Sequence, residues 1–138
     1  YRFWTPVGVQ WRDQDAFGHV NNAVYYAYVD NAIGTFAASR GILWRQLAAR
    51  PYVARSSCDY LAPISFPATI DAGICASRVG RTSVTWHVGL FREEAACAVA
   101  DFLHVFVDPA SERPAELPAA VRQAASDLFV DLDALKED

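Results

Sequence analysis

Several features that are common in other protein classes are missing from this chain. It contains no methionine, and although 53% of its 138 residues are hydrophobic, no uninterrupted apolar run approaches the roughly 20 residues that span a bilayer. A net charge of −4 is unlike the basic surface that nucleic-acid binding requires. We therefore expect neither a membrane nor a nucleic acid among its partners.

The chain has few cysteines, and their arrangement argues against a metal site. The three cysteines, Cys58, Cys75 and Cys97, are odd in number and lack the paired spacing of a metal site. Each lies in a strand-like segment, so free thiols in a reducing compartment are expected. The chain also opens directly on a strand-like pattern, from which we expect no signal peptide. These observations predict a cytoplasmic protein without a metal site.

The order of apolar patterns predicts a single domain that covers residues 1–138. One strand near 3–11 precedes a long helix near 22–40, which Asn21 or Asn22 caps and Gly41 ends. A short helical turn is expected near 42–50 and a last helix near 119–128. Between them, strands are expected near 52–61, 68–79, 83–92 and 97–107. We predict an α+β arrangement, in which a curved antiparallel five-stranded sheet wraps one long helix and a short C-terminal helix follows. Free sheet edges favour dimerisation.

Ten residues between the first strand and the long helix concentrate the polar groups of this region. The run Asp13-Gln14-Asp15-Ala16-Phe17-Gly18-His19-Val20-Asn21-Asn22 holds two carboxylates, an imidazole, two amides and a glycine suited to a turn. A helix follows at once, and a helix N-terminus stabilises negative charge through its free N–H groups and its dipole. The residues alone leave two interpretations of Asp15: catalysis beside the helix start, or hydrogen bonds that organise the loop.

Four segments of the chain match, in order, the pattern of a known family. The run from Asp13 to Tyr25 has the form D-x-D-x-x-G-H-V-N-N-x-x-Y, and three weaker matches follow it at Asp59–Ile64, Gly80–Thr85 and Val105–Asp108. In these features the chain resembles the hotdog-fold thioesterases of the 4-hydroxybenzoyl-CoA thioesterase-like family. The resemblance implies a homodimer or a tetramer made of two dimers, and thioester hydrolysis without a metal or redox cofactor.

Three residues near the helix start are predicted to act in catalysis, the first from the resemblance and the other two from their chemistry and position. Asp15 matches the catalytic carboxylate of the family, which either attacks the thioester carbonyl or acts as a general base on water. His19 is expected to donate to the thioester oxygen or to orient Asp15. Asn22 is expected to face the substrate. We therefore predict Asp15, His19 and Asn22 as the catalytic residues.

Six further residues are predicted to bind the substrate. Tyr25 and Trp44 are expected to line the acyl pocket, or else to pack in the core. Asp30, in the middle of the helix, is expected to contact the polar end of the acyl group or a dimer partner. Near the turn at Gly80 the resemblance implies contacts to the CoA phosphates, for which this chain offers Arg78, Arg81 and Ser83. The family often has more basic residues there, so weak CoA affinity and a carrier-protein donor both stay open.

The function predicted from the sequence is hydrolysis of an acyl-CoA to a free acid and CoA. The many aromatic residues around the helix favour an aromatic or medium-length acyl group over a long chain. Two alternatives are kept. The first is hydrolysis of acyl-carrier-protein thioesters, and the second is a non-catalytic hotdog module that binds acyl-CoA.

Overall fold

Five strands and one long helix make up most of the structure, a computed structural model that describes residues 1–136. The elements are β1 (Phe3–Gly8), a 3₁₀ turn (Trp11–Asp13), α1 (Asn22–Ser39), a second 3₁₀ turn (Trp44–Gln46), β2 (Arg50–Tyr60), β3 (Thr69–Val79), β4 (Ser83–Arg92), β5 (Ala95–Val107), α2 (Ala119–Asp127) and α3 (Leu132–Lys136). The strands form one antiparallel sheet in the order β1-β3-β4-β5-β2. The predicted α+β class, the five-stranded sheet and the long helix are confirmed.

The long helix α1 has clear start and stop signals. Asn21 caps it, because its side-chain oxygen accepts a hydrogen bond of 2.9 Å from the Ala23 N–H. Such a cap stabilises a helix by about 1 kcal/mol. After α1 the chain turns at Gly41, whose φ of 72° suits glycine. The residues of α1 that are buried against the sheet are Tyr25, Tyr28, Val29, Ala32, Ile33, Phe36 and Ala37.

The inner face of the sheet supplies the other half of the core. Alternate residues of β3, β4 and β5 point to this face, as the two-residue period of a strand requires. The largest of them that are buried are Ile70, Ile74, Val84, Trp86, Val88, Leu90, Phe102 and Phe106. Of the three free cysteines, Cys75 and Cys97 are buried and Cys58 is half-buried. The inner face of the sheet is therefore buried against α1, and the opposite face is the outer face.

The edge strand β2 is unusually exposed. Nine of its eleven residues are exposed and the other two are only half-buried. The exposed residues include Tyr52, Val53 and Tyr60, and Leu61 directly after the strand is 57% exposed. Since β2 pairs with β5 and with no other strand of residues 1–136, its other edge presents unpaired N–H and C=O groups. This edge lies next to the start of α1, where the Tyr60 hydroxyl contacts the helix.

Several boundaries differ from the sequence prediction. The helical turn expected near 42–50 is a 3₁₀ turn over Trp44–Gln46, because β2 already begins at Arg50, and β5 begins at Ala95 rather than near 97. The strand β1 ends at Gly8 rather than near 11, because the chain turns into the 3₁₀ segment and the Gln10 N–H donates to Asp13 Oδ2 at 2.8 Å. Helix α3 forms where a frayed tail was expected, with the Ala134 N–H donating to Asp131 Oδ1 at 3.1 Å. No helix within residues 1–136 is long and apolar enough to cross a membrane.

Candidate active site

A cavity of about 330 Å³ opens at the start of α1, next to the edge strand β2. Four of the predicted site residues lie together on its wall, and five other residues complete it. The lining residues are Asp15, His19, Val20, Asn22, Tyr25, Tyr60, Leu61, Ala62 and Pro63. The cavity therefore combines one carboxylate, one imidazole and the beginning of a helix.

The carboxylate of Asp15 is held by the loop that follows it. Its Oδ1 accepts hydrogen bonds from the backbone N–H groups of Phe17 (2.8 Å) and His19 (3.4 Å). The backbone of Asp15 is tied as well, since its N–H donates to the His19 carbonyl at 2.8 Å. Gly18 permits this tight loop with a φ of 81°. Within residues 1–136 the second oxygen, Oδ2, makes no hydrogen bond to the protein, so it is available to a substrate or a water molecule.

The other carboxylate of the motif, Asp13, has a different environment. Its Oδ2 accepts from the Tyr28 hydroxyl at 2.6 Å and from the Gln10 N–H at 2.8 Å. Its backbone carbonyl accepts from the Asn21 N–H at 2.9 Å. Burial, together with the neighbouring Asp13 carboxylate, raises the pKa of Tyr28. Asp13 thus joins the loop to α1 and is not among the residues that line the cavity.

The first turn of α1 provides hydrogen-bond donors at the cavity. The Asn21 side chain and carbonyl accept from the N–H groups of Ala23 and Val24. The N–H of Asn22 makes no hydrogen bond within the described part of the chain. It is one of the free donors that every helix start leaves. A free N–H at the positive end of the helix dipole is suited to stabilise an oxyanion.

Two tyrosines from different elements form the wall beside this helix start. Tyr25 is buried, and burial raises its pKa. Its ring meets Tyr60 edge-to-face with the centroids 4.9 Å apart. The Tyr60 hydroxyl donates to the Asn22 carbonyl at 2.9 Å, which links β2 to α1. Tyr60 was not predicted as a site residue. The match at Asp59–Ile64 pointed to this segment but did not place it beside the helix.

His19 lines the cavity with an exposed side chain. Among the hydrogen bonds of residues 1–136, its imidazole makes none with Asp15. The contact between the two residues runs through the backbone instead, because the His19 N–H donates to Asp15 Oδ1. The imidazole is therefore free to contact a bound group.

Asp30 and Trp44, which were predicted to contact the acyl group, lie outside this cavity. Asp30 is exposed on α1 and falls on the same helical stripe as Asn22 and Tyr26, at intervals of four residues. Eight residues of helix separate Asp30 from Asn22 by about 12 Å. Trp44 is half-buried against His104 and Phe106, with ring centroids 5.9 and 6.1 Å apart.

The residues predicted to contact phosphates divide into two groups. Arg78 and Ser83 line a cavity of about 490 Å³ on the outer face of the sheet. Arg81 lies outside that lining and forms an exposed ion pair with Glu116 at 3.4 Å. A further arginine, Arg55 of β2, lines the cavity but was missed by the sequence analysis. Across residues 1–136, no group of three or more His, Cys, Asp or Glu side chains is placed to hold a metal ion.

Comparison with known proteins shows the family of this chain. Residues 9–125 match the family model described as the thioesterase-like superfamily. The structure is similar to that of the PA5185 protein from Pseudomonas aeruginosa strain PAO1, with 39% sequence identity and a TM-score of 0.88 over 94% of this chain and 92% of that chain.

Two solved structures with lower identity share the fold. Slr0204, a 1,4-dihydroxy-2-naphthoyl-CoA thioesterase from Synechocystis, is 17% identical, with a TM-score of 0.85 over 91% of this chain and 96% of that chain. BH1999, a gentisyl-coenzyme A thioesterase, is 19% identical, with a TM-score of 0.80 over 89% of this chain and 99% of that chain. The chain belongs to the thioesterase-like superfamily, a hotdog-fold family of thioester hydrolases.

Proposed function

We propose that this protein hydrolyses an acyl-CoA thioester and that Asp15 is its catalytic carboxylate. The observation that carries the proposal is that a carboxylate oxygen and a backbone N–H, both available to a substrate, lie at one cavity. Asp15 is fixed through Oδ1, and among residues 1–136 neither its Oδ2 nor the Asn22 N–H at the start of α1 has a hydrogen-bond partner. A thioester needs both an attacking group for its carbonyl carbon and a donor for its carbonyl oxygen.

Two chemical routes use this pair. As a general base, Asp15 takes a proton from water while the water oxygen attacks the carbonyl carbon. The negative charge that develops on the carbonyl oxygen is stabilised by the Asn22 N–H, with the His19 imidazole as a second donor. The C–S bond then breaks, and the CoA thiolate takes up the proton. In the alternative route, Asp15 attacks the carbonyl itself, CoA leaves, and water hydrolyses the resulting anhydride.

The surroundings of the cavity support an aromatic acyl group with a polar end. Tyr25 and Tyr60 provide an apolar aromatic wall, and Asp30 lies on the stripe that runs from Asn22 along α1. A hydroxyl at the far end of the acyl group would reach the Asp30 carboxylate, and Trp44, which lines a separate cavity with Gly34, would lie beyond that end. Slr0204 and BH1999 are named for thioesters of dihydroxylated aromatic acids, and this supports the same substrate class here.

We also propose that the active form is a homodimer joined through β2, and that two dimers associate where the protein is tetrameric. The free edge of β2 is long and carries exposed apolar residues, among them Tyr52 and Val53. A second copy would pair with this edge and cover the cavity next to Tyr60. A lysine placed on such an edge opposes pairing. The Val53→Lys variant should therefore sediment as a monomer, whereas the wild type should sediment as a dimer or tetramer.

Thiol release from a panel of acyl-CoAs, measured for the wild type and for Asp15→Asn, tests the catalytic proposal. Asparagine keeps Oδ1 as the acceptor for Phe17 and His19, so the loop should stay folded while the basic oxygen is lost. The expected loss in kcat is about 10²–10⁴-fold. Equal turnover by the two proteins would contradict the role of Asp15. Cleavage of acyl-carrier-protein substrates alone, or binding without turnover, would favour the two alternative functions.

A further inference from the structure

The outer face of the sheet carries a cluster of aromatic rings on its β1 side. Alternation along β1 buries Thr5 and Val7 and turns Trp4 outward, where it is 51% exposed. The centroid of its six-membered and five-membered ring system lies 5.4 Å from that of the Phe91 ring of β4. Tyr1 meets both rings edge-to-face, with centroids 5.6 Å away in each case. Trp4 is therefore packed against two other rings while half of its surface stays open to solvent.

Two glycines make room for this cluster. Gly73 of β3 lies directly opposite Gly89 of β4, and Trp4 of β1 pairs with Gly73. A Cβ at Gly73 would come within 2.9 Å of the Trp4 ring, and a Cβ at Gly89 would come within 2.6 Å of the Phe91 ring. A side chain at either position would displace a ring. The two glycines therefore let the rings lie directly on the backbone of the sheet.

A cavity of about 430 Å³ adjoins the exposed side of these rings, and its lining residues are Trp4, Asp71, Phe91 and Glu94. Its volume lies in the range of about 300–1,000 Å³ that is usual for small-molecule sites. The planes of the Trp4 and Phe91 rings are inclined by 57°, so the rings form two adjoining walls. Asp71 lies opposite Phe91 in the sheet, and Glu94 belongs to the turn between β4 and β5. None of the four residues lines the cavity of Asp15.

The turn that carries Glu94 has a costly backbone conformation for its sequence. Glu93 has a φ of 49° and Glu94 has a φ of 70°. This left-handed region is unfavourable for most side chains, and hairpin turns that need it usually contain asparagine and glycine. Strained backbone of this kind is concentrated at binding sites. Because asparagine or glycine would stabilise the hairpin, the turn alone does not explain a carboxylate at position 94.

The walls of the cavity favour an organic cation as ligand. The face of an aromatic ring is partly negative, and tryptophan attracts cations most strongly. Asp71 and Glu94 add two negative charges. Within residues 1–136, no arginine or lysine side chain lies over the Trp4 or Phe91 ring or within 4.0 Å of either carboxylate. A quaternary ammonium group suits ring walls better than a primary one, because its methyl groups pack on the rings and it has no N–H groups that need acceptors.

We propose that the cavity formed by Trp4, Phe91, Asp71 and Glu94 binds a small quaternary ammonium compound. The ammonium group lies against the two rings, and the two carboxylates balance its charge. Binding at this cavity does not involve Asp15, so the proposal is tested separately from the proposed thioester hydrolysis.

Titration of the isotope-labelled protein with choline chloride, followed by NMR, tests the proposal. The indole N–H signal of Trp4, one of four tryptophans in the chain, should shift until the site is saturated, whereas the signal of Trp11 should not shift. Dimethylbutanol, in which a carbon atom replaces the charged nitrogen of choline, should bind at least about five-fold more weakly. Ethanolamine, the primary amine, should also bind more weakly than choline. The absence of a saturable Trp4 shift, or equally tight binding of either comparison compound, would overturn the proposal.

Two pairs of matched variants locate the binding by isothermal titration with choline. Trp4→Leu keeps an apolar side chain but removes the ring, and it should weaken binding about five-fold. Trp11→Leu makes the same change at an exposed tryptophan outside the cavity and should bind like the wild type. Glu94→Gln should weaken binding about three-fold, whereas Glu93→Gln, in the same turn but outside the lining, should have a smaller effect.

Wild-type affinity in both Trp4→Leu and Glu94→Gln would contradict the site. Sedimentation of the same variants tests the other use of such a face, a contact between copies of the chain. Dissociation of Trp4→Leu into smaller oligomers, in a protein that does not bind choline, would assign the rings to that contact and overturn the proposal.

Discussion

A buried histidine should make the stability of this protein depend on pH. His104 of β5 is 4% exposed and packs with its ring near those of Trp44, Trp86 and Phe106. Its Nδ1 accepts a hydrogen bond of 3.1 Å from the indole N–H of Trp86. This bond requires an unprotonated Nδ1, so the neutral ring carries its proton on Nε2. Burial lowers the pKa of His104 from 6.5 to about 4.

The size of the effect follows from the difference between these two pKa values. Above pH 6.5 the ring is neutral in both the folded and the unfolded chain, and the full stability is present. As the pH falls below 6.5, the unfolded chain binds a proton that the native ring does not, so the free energy of unfolding decreases. A pKa difference of about 2.5 corresponds to about 3 kcal/mol once the pH is below 4. At pH 5 the loss is about 2 kcal/mol.

Urea unfolding at pH 8 and pH 5, for the wild type and for His104→Gln, measures this contribution. Glutamine offers an acceptor for the Trp86 indole but does not titrate, so carboxylates that titrate near pH 5 affect both proteins equally. The wild type should lose about 2 kcal/mol more than the variant between the two pH values. Equal losses would refute the reasoning. A proton NMR titration of the native protein gives a second test, in which a His104 ring that titrates near pH 6.5 would also refute it.

Three further substitutions have defined outcomes. Tyr60→Phe removes the hydrogen bond to the start of α1, which is worth about 1 kcal/mol, and should lower the melting temperature by a few degrees and kcat/KM by about five-fold. Tyr28→Phe leaves the Asp13 carboxylate short of a partner and should lower the free energy of unfolding in urea by about 1–2 kcal/mol. Gly73→Ala brings a Cβ to 2.8 Å from an aromatic ring and should destabilise by about 1–3 kcal/mol. Gly8→Ala, whose Cβ meets nothing within 4 Å, is its control and should unfold like the wild type. Wild-type stability of Gly73→Ala or of Tyr28→Phe would contradict the role given to the contact that each variant changes. Wild-type activity of Tyr60→Phe would likewise contradict the role of the bond to α1.

Much of the fold was predictable because its signals are local. The cap at Asn21, the apolar stripe of α1 and the turn at Gly41 depend on residues close together in the chain. The alternation of residues over 83–92 likewise predicted β4 with the bounds it has. The helix α3 was missed because its five residues carry no strong periodic pattern.

The sequence by itself determined the cluster of Asp15, His19, Asn22 and Tyr25. These residues lie within eleven consecutive positions, and a loop that enters a helix brings them together through local hydrogen bonds. The sequence could not place Tyr60 beside them, because that contact depends on β2 being the edge strand next to the start of α1. It could not orient Arg55 and Arg78 either. Alternation assigns a strand residue to one face, but a bulge next to each of these arginines reverses that assignment, and a bulge is defined only by pairing with a distant strand.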